Sequence, residues 1–170
     1  MEFLKKVLSR FCRSPDVIIG GKENPYLLRW YVIPRNRLFN IYLHKFLRDD
    51  DDRALHDHPW GSCSIILKGG YIEHQPEGMY VRKAGCIYFR RATQAHRIEL
   101  HRGYWCSWCS NVWHPDRSHP AQHAWSLFIT GPKVREWGFH CPRGWVHWKV
   151  FCSPQDTNVA EYGLIGRGCE

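Results

Sequence analysis

No run of five or more basic residues occurs in this 170-residue chain, although its formal charge is +8. Lys and Arg are scattered instead. That pattern reads as a solvated basic surface, and it counts against a dedicated nucleic-acid site while still favouring small anionic partners. No apolar stretch is long enough to cross a bilayer, so no membrane partner is expected. The opening MEFLKKVLSRFCR has no signal-peptide character, because lysines interrupt its apolar residues and no small-residue cleavage site follows. No repeat of twenty to fifty residues and no low-complexity segment appears. These absences leave one ordinary domain, expected in the cytoplasm. There the eight cysteines are expected mostly as reduced thiols or metal ligands rather than as disulfides.

What is abundant is aromatic. Nine Trp, eight Tyr and eight Phe, in a chain that is 44% hydrophobic, lean toward pleated, half-buried surfaces. Phe3, Leu4, Val7, Leu8 and Phe11 fall at helical spacing and predict a short amphipathic helix over 1–13, packed on the domain. After it come about ten short apolar segments separated by Gly, Pro, Asn and Asp. Strands are predicted over 27–33, 40–47, 62–68, 70–74, 79–83, 86–90, 95–101, 124–130, 134–139 and 145–151, with a hairpin turn at QPEG, 75–78. The expectation is an all-β sandwich or small barrel. Residues 102–123 are expected as a long Cys/His-rich loop, and 153–170 as a mobile tail.

The chemistry concentrates in RALHDHPWGSCSIILKGG, residues 53–70. In an extended segment His56 and His58 project to one side and can grip one metal ion. Alternation also groups Cys63, Ile65 and Leu67 on one face of 62–68, which predicts an inward Cys63. His96 shares a face with Ile98 and Leu100, which predicts an inward histidine. Tyr42, His44 and Phe46 share a face whose direction is open. Trp125, Leu127 and Ile129 read as barrel wall.

At these positions the chain resembles the cupin superfamily, whose motifs are G-x5-H-x-H-x(3,4)-E-x6-G and G-x5-P-x-G-x2-H-x3-N. The first falls on Asp50, His56, His58, Cys63 and Gly70, and the second on Gly85, Arg91, Thr93, His96 and Leu100. Both glycines that match and all three histidines are kept. The resemblance implies a cupin-type jelly-roll barrel with one divalent metal on His56, His58 and His96. Cys63 stands where the family has Glu, and a three-histidine cupin with cysteine there is similar to the thiol dioxygenases. That likeness implies Fe(II), with zinc, nickel or manganese as alternatives, and a catalytic role for Cys63 beside the metal. Cys63 as a small buried apolar residue is the other reading. Arg91 and Thr93 replace the family Pro and Gly, so the turn before His96 must close differently.

A second candidate metal site is Cys106-x2-Cys109-x4-His114-x4-His119, raw material for a structural zinc; an unligated loop is the alternative. Residues 135–151 suggest an aromatic hairpin closing the barrel, in which His140 and His147 are further candidates. Arg29, Arg90 and Arg91 could meet an anionic ligand. The expected function is therefore a metal-binding cupin, dioxygenase-like toward a small anionic or thiol substrate. A non-catalytic small-ligand module and a metal-assisted isomerase or sugar epimerase, using Tyr42 and His44, stay open as alternatives. A homodimer is implied by the resemblance alone.

Overall fold

The computed structural model describes residues 13–50, 54–106, 112–116, 118–153 and 166–169. The predicted helix therefore lies outside the described residues, apart from its last position. In chain order the first strands are β1 (Val17–Ile19), β2 (Leu27–Tyr31), β3 (Asn40–Phe46), β4 (Leu55–His56) and β5 (Ser62–Lys68). Next come β6 (Gly70–Gln75), β7 (Gly78–Lys83), β8 (Ile87–Arg90), β9 (Arg97–Leu100), β10 (Gly103–Cys106) and β11 (Val112–Pro115). Finally come β12 (Ala124–Thr130), β13 (Gly138–Cys141), β14 (Gly144–His147) and the single-turn helix α1 (Trp148–Phe151). The predicted strands over 62–68 and 124–130 match β5 and β12; β12 is rich in β-branched and aromatic residues, and β5 carries Ile65 and Ile66. QPEG is the β6–β7 turn, with Gln75 opposite Gly78.

The pairing is antiparallel throughout. One sheet has the order β1-β2-β3-β12-β5-β8. A second has β7-β6-β9, and a third β14-β13-β4. A backbone bridge between His56 and His96 joins these last two at the N-terminal side of β9. Successive strands alternate between the large sheet (β3, β5, β8, β12) and the joined one (β4, β6 and β7, β9). That alternation is a jelly roll, the predicted fold class. At the corner between β5 and β6 the chain needs glycine: Gly69 has φ +70°, and a Cβ there would lie 2.5 Å from the His123 carbonyl oxygen.

Two apolar cores hold the sheets. Leu27, Phe46, Ile66, Tyr71, Ile98, Leu100 and Ala124 pack at one end of the barrel. Ala54, Phe139, Cys141 and Phe151 form a smaller cluster beneath the β13–β14 hairpin.

Three expectations are corrected. The stretch 145–151 is not one strand: β14 stops at His147, whose side chain accepts from the Lys149 amide at 3.2 Å and caps α1. A local side-chain cap wins over strand continuation there. Residues 102–123 are not all loop, since β10 and β11 pair, with Tyr104 opposite His114. One cysteine pair departs from the expected mostly reduced set: Cys141 and Cys169 form a disulfide, while Cys63, Cys86 and Cys152 are free. Of the expected mobile tail, Ser153 and 166–169 are described. They are tied down by this disulfide and by the Gly168 amide on the Phe151 carbonyl at 3.0 Å. Among the described residues no helix is long and apolar enough to cross a membrane.

The disulfide spans 28 residues of sequence. Closing a loop of that size contributes about 3–4 kcal/mol in the chain-entropy picture. Cys169→Ala, or reduction, is expected to lower the unfolding free energy by about 3 kcal/mol. Denaturant titration with and without reductant reads the difference.

Candidate metal centre

The His56–His96 bridge sets the site. The two residues exchange both backbone hydrogen bonds, each 2.9 Å. Residues directly opposite on antiparallel strands present their side chains to the same face, so the imidazoles meet. His58 lies two residues on and turns the same way; its amide bonds the Ala92 carbonyl at 3.1 Å. One nitrogen from each ring falls within 4.8 Å of the others, so the three could hold one metal ion. His58 Nε2 and His96 Nε2 are 2.8 Å apart.

Carboxylates stand behind two of the rings. Asp50 Oδ2 is 3.2 Å from His56 Nδ1, and Glu73 Oε1 is 3.2 Å from His96 Nδ1. Both are close contacts rather than well-aligned hydrogen bonds, since neither Nδ1 has a bond of good geometry. A carboxylate on the far nitrogen fixes ring orientation and raises the basicity of the other, the usual support of a metal-bound histidine. Glu73 is fully buried and also takes Arg90 Nε and, at 2.8 Å, Arg82 Nε. Burial alone would raise its carboxyl pKa. The His96 contact and the Arg90 guanidinium outweigh it and hold Glu73 well below the usual carboxylate range.

Burial, then the neighbouring rings and Arg90 and Arg29, push His58 well below its ordinary value. Burial, then Arg90, does the same to His96 against the opposing pull of Glu73. Both are therefore neutral near pH 7, the form that ligates metal.

The interior around them is polar. Tyr42, His44 and Phe46 point inward, which answers the face left open by the sequence. His44 accepts from Arg29 Nε at 2.8 Å and stacks on Phe128 at 5.0 Å between centroids. Burial, then Arg29, lowers its pKa as well. From β12 it is Ala124, Ser126, Phe128 and Thr130 that are buried, so Trp125, Leu127 and Ile129 occupy the outer face. The same reversal corrects Cys63. Ser62, Ser64 and Ile66 are the buried residues of β5, and Cys63 faces outward between Phe89 and Ile129 on the neighbouring strands. It stands on the opposite face from the histidines and has no place beside a metal.

The turn before His96 closes without the family Pro and Gly, through the Gln94 amide on the Arg91 carbonyl at 3.1 Å. His140 and His147 do not join the site: they lie 3.2 Å from Asp57 and 3.3 Å from Glu136 respectively. Of the proposed zinc set, Cys109 and the side chains of Cys106 and His114 lie outside the described residues. His119 is exposed, with Nδ1 2.9 Å from Asp116.

Sequence reading missed Glu73 and Asp57, and it used Asp50 only as a motif position. Glu73 left a signal: in GYIEH it shares a face with Tyr71, an apolar ring bound for the core.

No protein-family model matches the chain, and no curated protein matches it. Solved structures do. The EutQ protein of Clostridium difficile is 8% identical, with 72% of this chain and 82% of that one covered, at a TM-score of 0.47. A cupin superfamily protein of Desulfitobacterium hafniense is 14% identical, with 67% and 84% covered, at 0.45. A Klebsiella pneumoniae protein with a double-stranded β-helix domain is 17% identical, with 71% and 90% covered, at 0.46. Likenesses of that size say nothing of substrate or reaction.

His44, His58 and His96 all have folded pKa values below the ordinary 6.5. The unfolded chain therefore binds more protons as pH falls through about 6.5, and stability drops with it. Above that value these groups are neutral in both states and contribute no slope. Thermal melts of metal-free protein are expected to be flat in this contribution from about pH 7.5 upward and to fall steadily from about pH 6.5 to 5. The strand order, rather than any likeness, carries the conclusion: the chain is a small antiparallel jelly-roll domain with three histidines gathered at its joint.

Proposed function

We propose that the domain binds one divalent metal ion through His56, His58 and His96 and holds a small anionic ligand beside it. The observation that carries this reading is the convergence of three imidazoles, two of them backed by carboxylates. Asp50 and Glu73 keep the Nδ1 side of the rings occupied and turn the Nε2 side toward the centre. Iron(II) is the preferred metal, with zinc, nickel or manganese as alternatives. Such an ion, when bound, supplies Lewis acidity and open coordination positions, in the case of iron for a substrate and dioxygen.

The chain's own residues supply the rest. Arg29 reaches over the Tyr42 ring, 4.7 Å from its centroid, and Arg90 is buried beside Glu73. Their charge lowers the His58 pKa, so both are felt at the site and favour an anion there. Phe128, Trp137 and Phe139 ring the histidines and exclude water. Dioxygenase-like chemistry remains the enzymatic form of the proposal; without Cys63 it rests on the three-histidine donor set. A non-catalytic pocket for the same anion is the rival. Oxygen consumption that depends on added iron and a small carboxylate or thiol would separate them.

A homodimer, a cytoplasmic setting and a structural zinc on Cys106, Cys109, His114 and His119 belong to the same proposal. The exposed Ile87 and Phe89 on β8 support pairing.

Untagged protein is expected to carry about one metal ion per chain at the jelly-roll site, lost in His56→Ala, His58→Ala and His96→Ala. Glu73→Gln is expected to weaken metal affinity by roughly 10–100-fold. The reading is wrong if elemental analysis finds no metal and neither Fe(II) nor Zn(II) raises the melting temperature, which saturating ligand must do.

A further inference from the structure

Between the two histidines sits Asp57, and its side chain points away from them. In an extended segment the middle residue turns to the opposite side. There the carboxylate is 1% exposed, yet it is fully engaged. Oδ1 accepts from the Gly138 amide at 2.9 Å. Oδ2 accepts from Trp145 Nε1 at 3.0 Å and lies 3.2 Å from His140 Nε2 and 2.7 Å from an Arg135 guanidinium nitrogen. The Asp57 amide in turn donates to the Gly138 carbonyl at 3.0 Å. All these partners come from one stretch, 135–145, which runs into and through the β13–β14 hairpin.

That stretch is the wall of the metal site. Phe139 pairs with His56 across the strands, and the Trp137 and Phe139 rings stand 6.2 and 5.8 Å from the His56 ring. Only two residue pairs join β13 to β4, so the ladder alone is a short hinge. Arg135 reaches the other histidine's support as well, donating at 3.4 Å to the Ala92 carbonyl that also receives the His58 amide. Gly138 lets the hairpin's own two strands close: a Cβ there would lie 2.1 Å from the Val146 carbonyl oxygen and 2.8 Å from the Trp145 ring.

We propose that Asp57 is a positioning residue that hangs the 135–147 hairpin against the metal site and sets the placement of His56 and His58 through it. It is not a ligand. The inference rests on the three-histidine reading for its consequence, while its mechanical part stands on the hydrogen bonds alone. A buried carboxylate offers two acceptor oxygens to four donors, and an asparagine offers one. Asp57→Asn therefore leaves donors facing a donor and loosens the hairpin without changing its size.

The test compares wild type, Asp57→Asn and Trp145→Phe. Hydrogen exchange of the β13–β14 amides is expected to accelerate at least tenfold in Asp57→Asn and less in Trp145→Phe, with β3, β5 and β12 unchanged. In metal-free protein the His56 imidazole resonances are expected to shift in both variants. With Co(II) as probe, Asp57→Asn is expected to bind roughly 10–100-fold more weakly, the range for groups that orient ligands, with an altered visible spectrum. Faster exchange with unmoved His56 resonances and an unchanged Co(II) spectrum would make Asp57 merely structural and overturn the proposal. Unchanged exchange would overturn it too. If Asp57→Asn does not fold, Trp145→Phe and Arg135→Met decide by the same readouts. Absence of Co(II) binding by wild type would defeat the metal reading, and the imidazole resonances would still decide this one.

Discussion

The antiparallel bridge between His56 and His96 is the joint on which the rest of this structure depends. It is one residue pair, with two backbone hydrogen bonds. Yet it unites two three-stranded sheets into the second face of a jelly roll, and it brings together two imidazoles that lie forty residues apart in sequence. Fold closure and site assembly are thus one event. Chemistry that needs both rings cannot form until the chain has closed, and any change that opens the barrel here separates the rings.

The demands of this joint explain why the interior is polar. Two arginines, a glutamate and four histidines share the inside of the sheets with Ser62, Ser64, Ser126 and Thr130. The charges are met locally: Glu73 is paired with Arg90 and Arg82, and the Arg29 guanidinium donates to the neutral His44 ring. Buried charge is tolerable only when so paired. Ile87, Phe89 and Leu67 meanwhile stand exposed on the outer face. The usual ordering of apolar inside and polar outside is reversed across much of β5 and β12.

That reversal also marks how far the residues alone could be read. Most strand positions between 27 and 101 and over 124–130, the hairpin at 75–78, the jelly roll and the three histidines were legible, because alternation and the spacing of the histidines depend on local geometry; the strands expected over 134–139 and 145–151 were displaced to β13 and β14. The direction of a strand's two faces was not. Cys63 was placed inward because it shares a face with Ile65 and Leu67, and in this barrel that face looks outward. Glu73 and Asp57 were invisible as partners because their meaning comes from residues brought close only by folding: His96 and Arg90 for one, the 135–145 stretch for the other. Cys141 and Cys169 were likewise two cysteines among eight until the chain end was seen against β13.

The disulfide has a mechanical meaning beyond its effect on stability. A pull applied at Cys169 passes through one covalent link into Cys141, along β13 to Phe139, and across a single rung to His56. Load of this kind meets no flexible linker on the way, because Gly168 is itself held on α1. Residue 169 is thereby joined covalently to the strand that pairs with the first histidine.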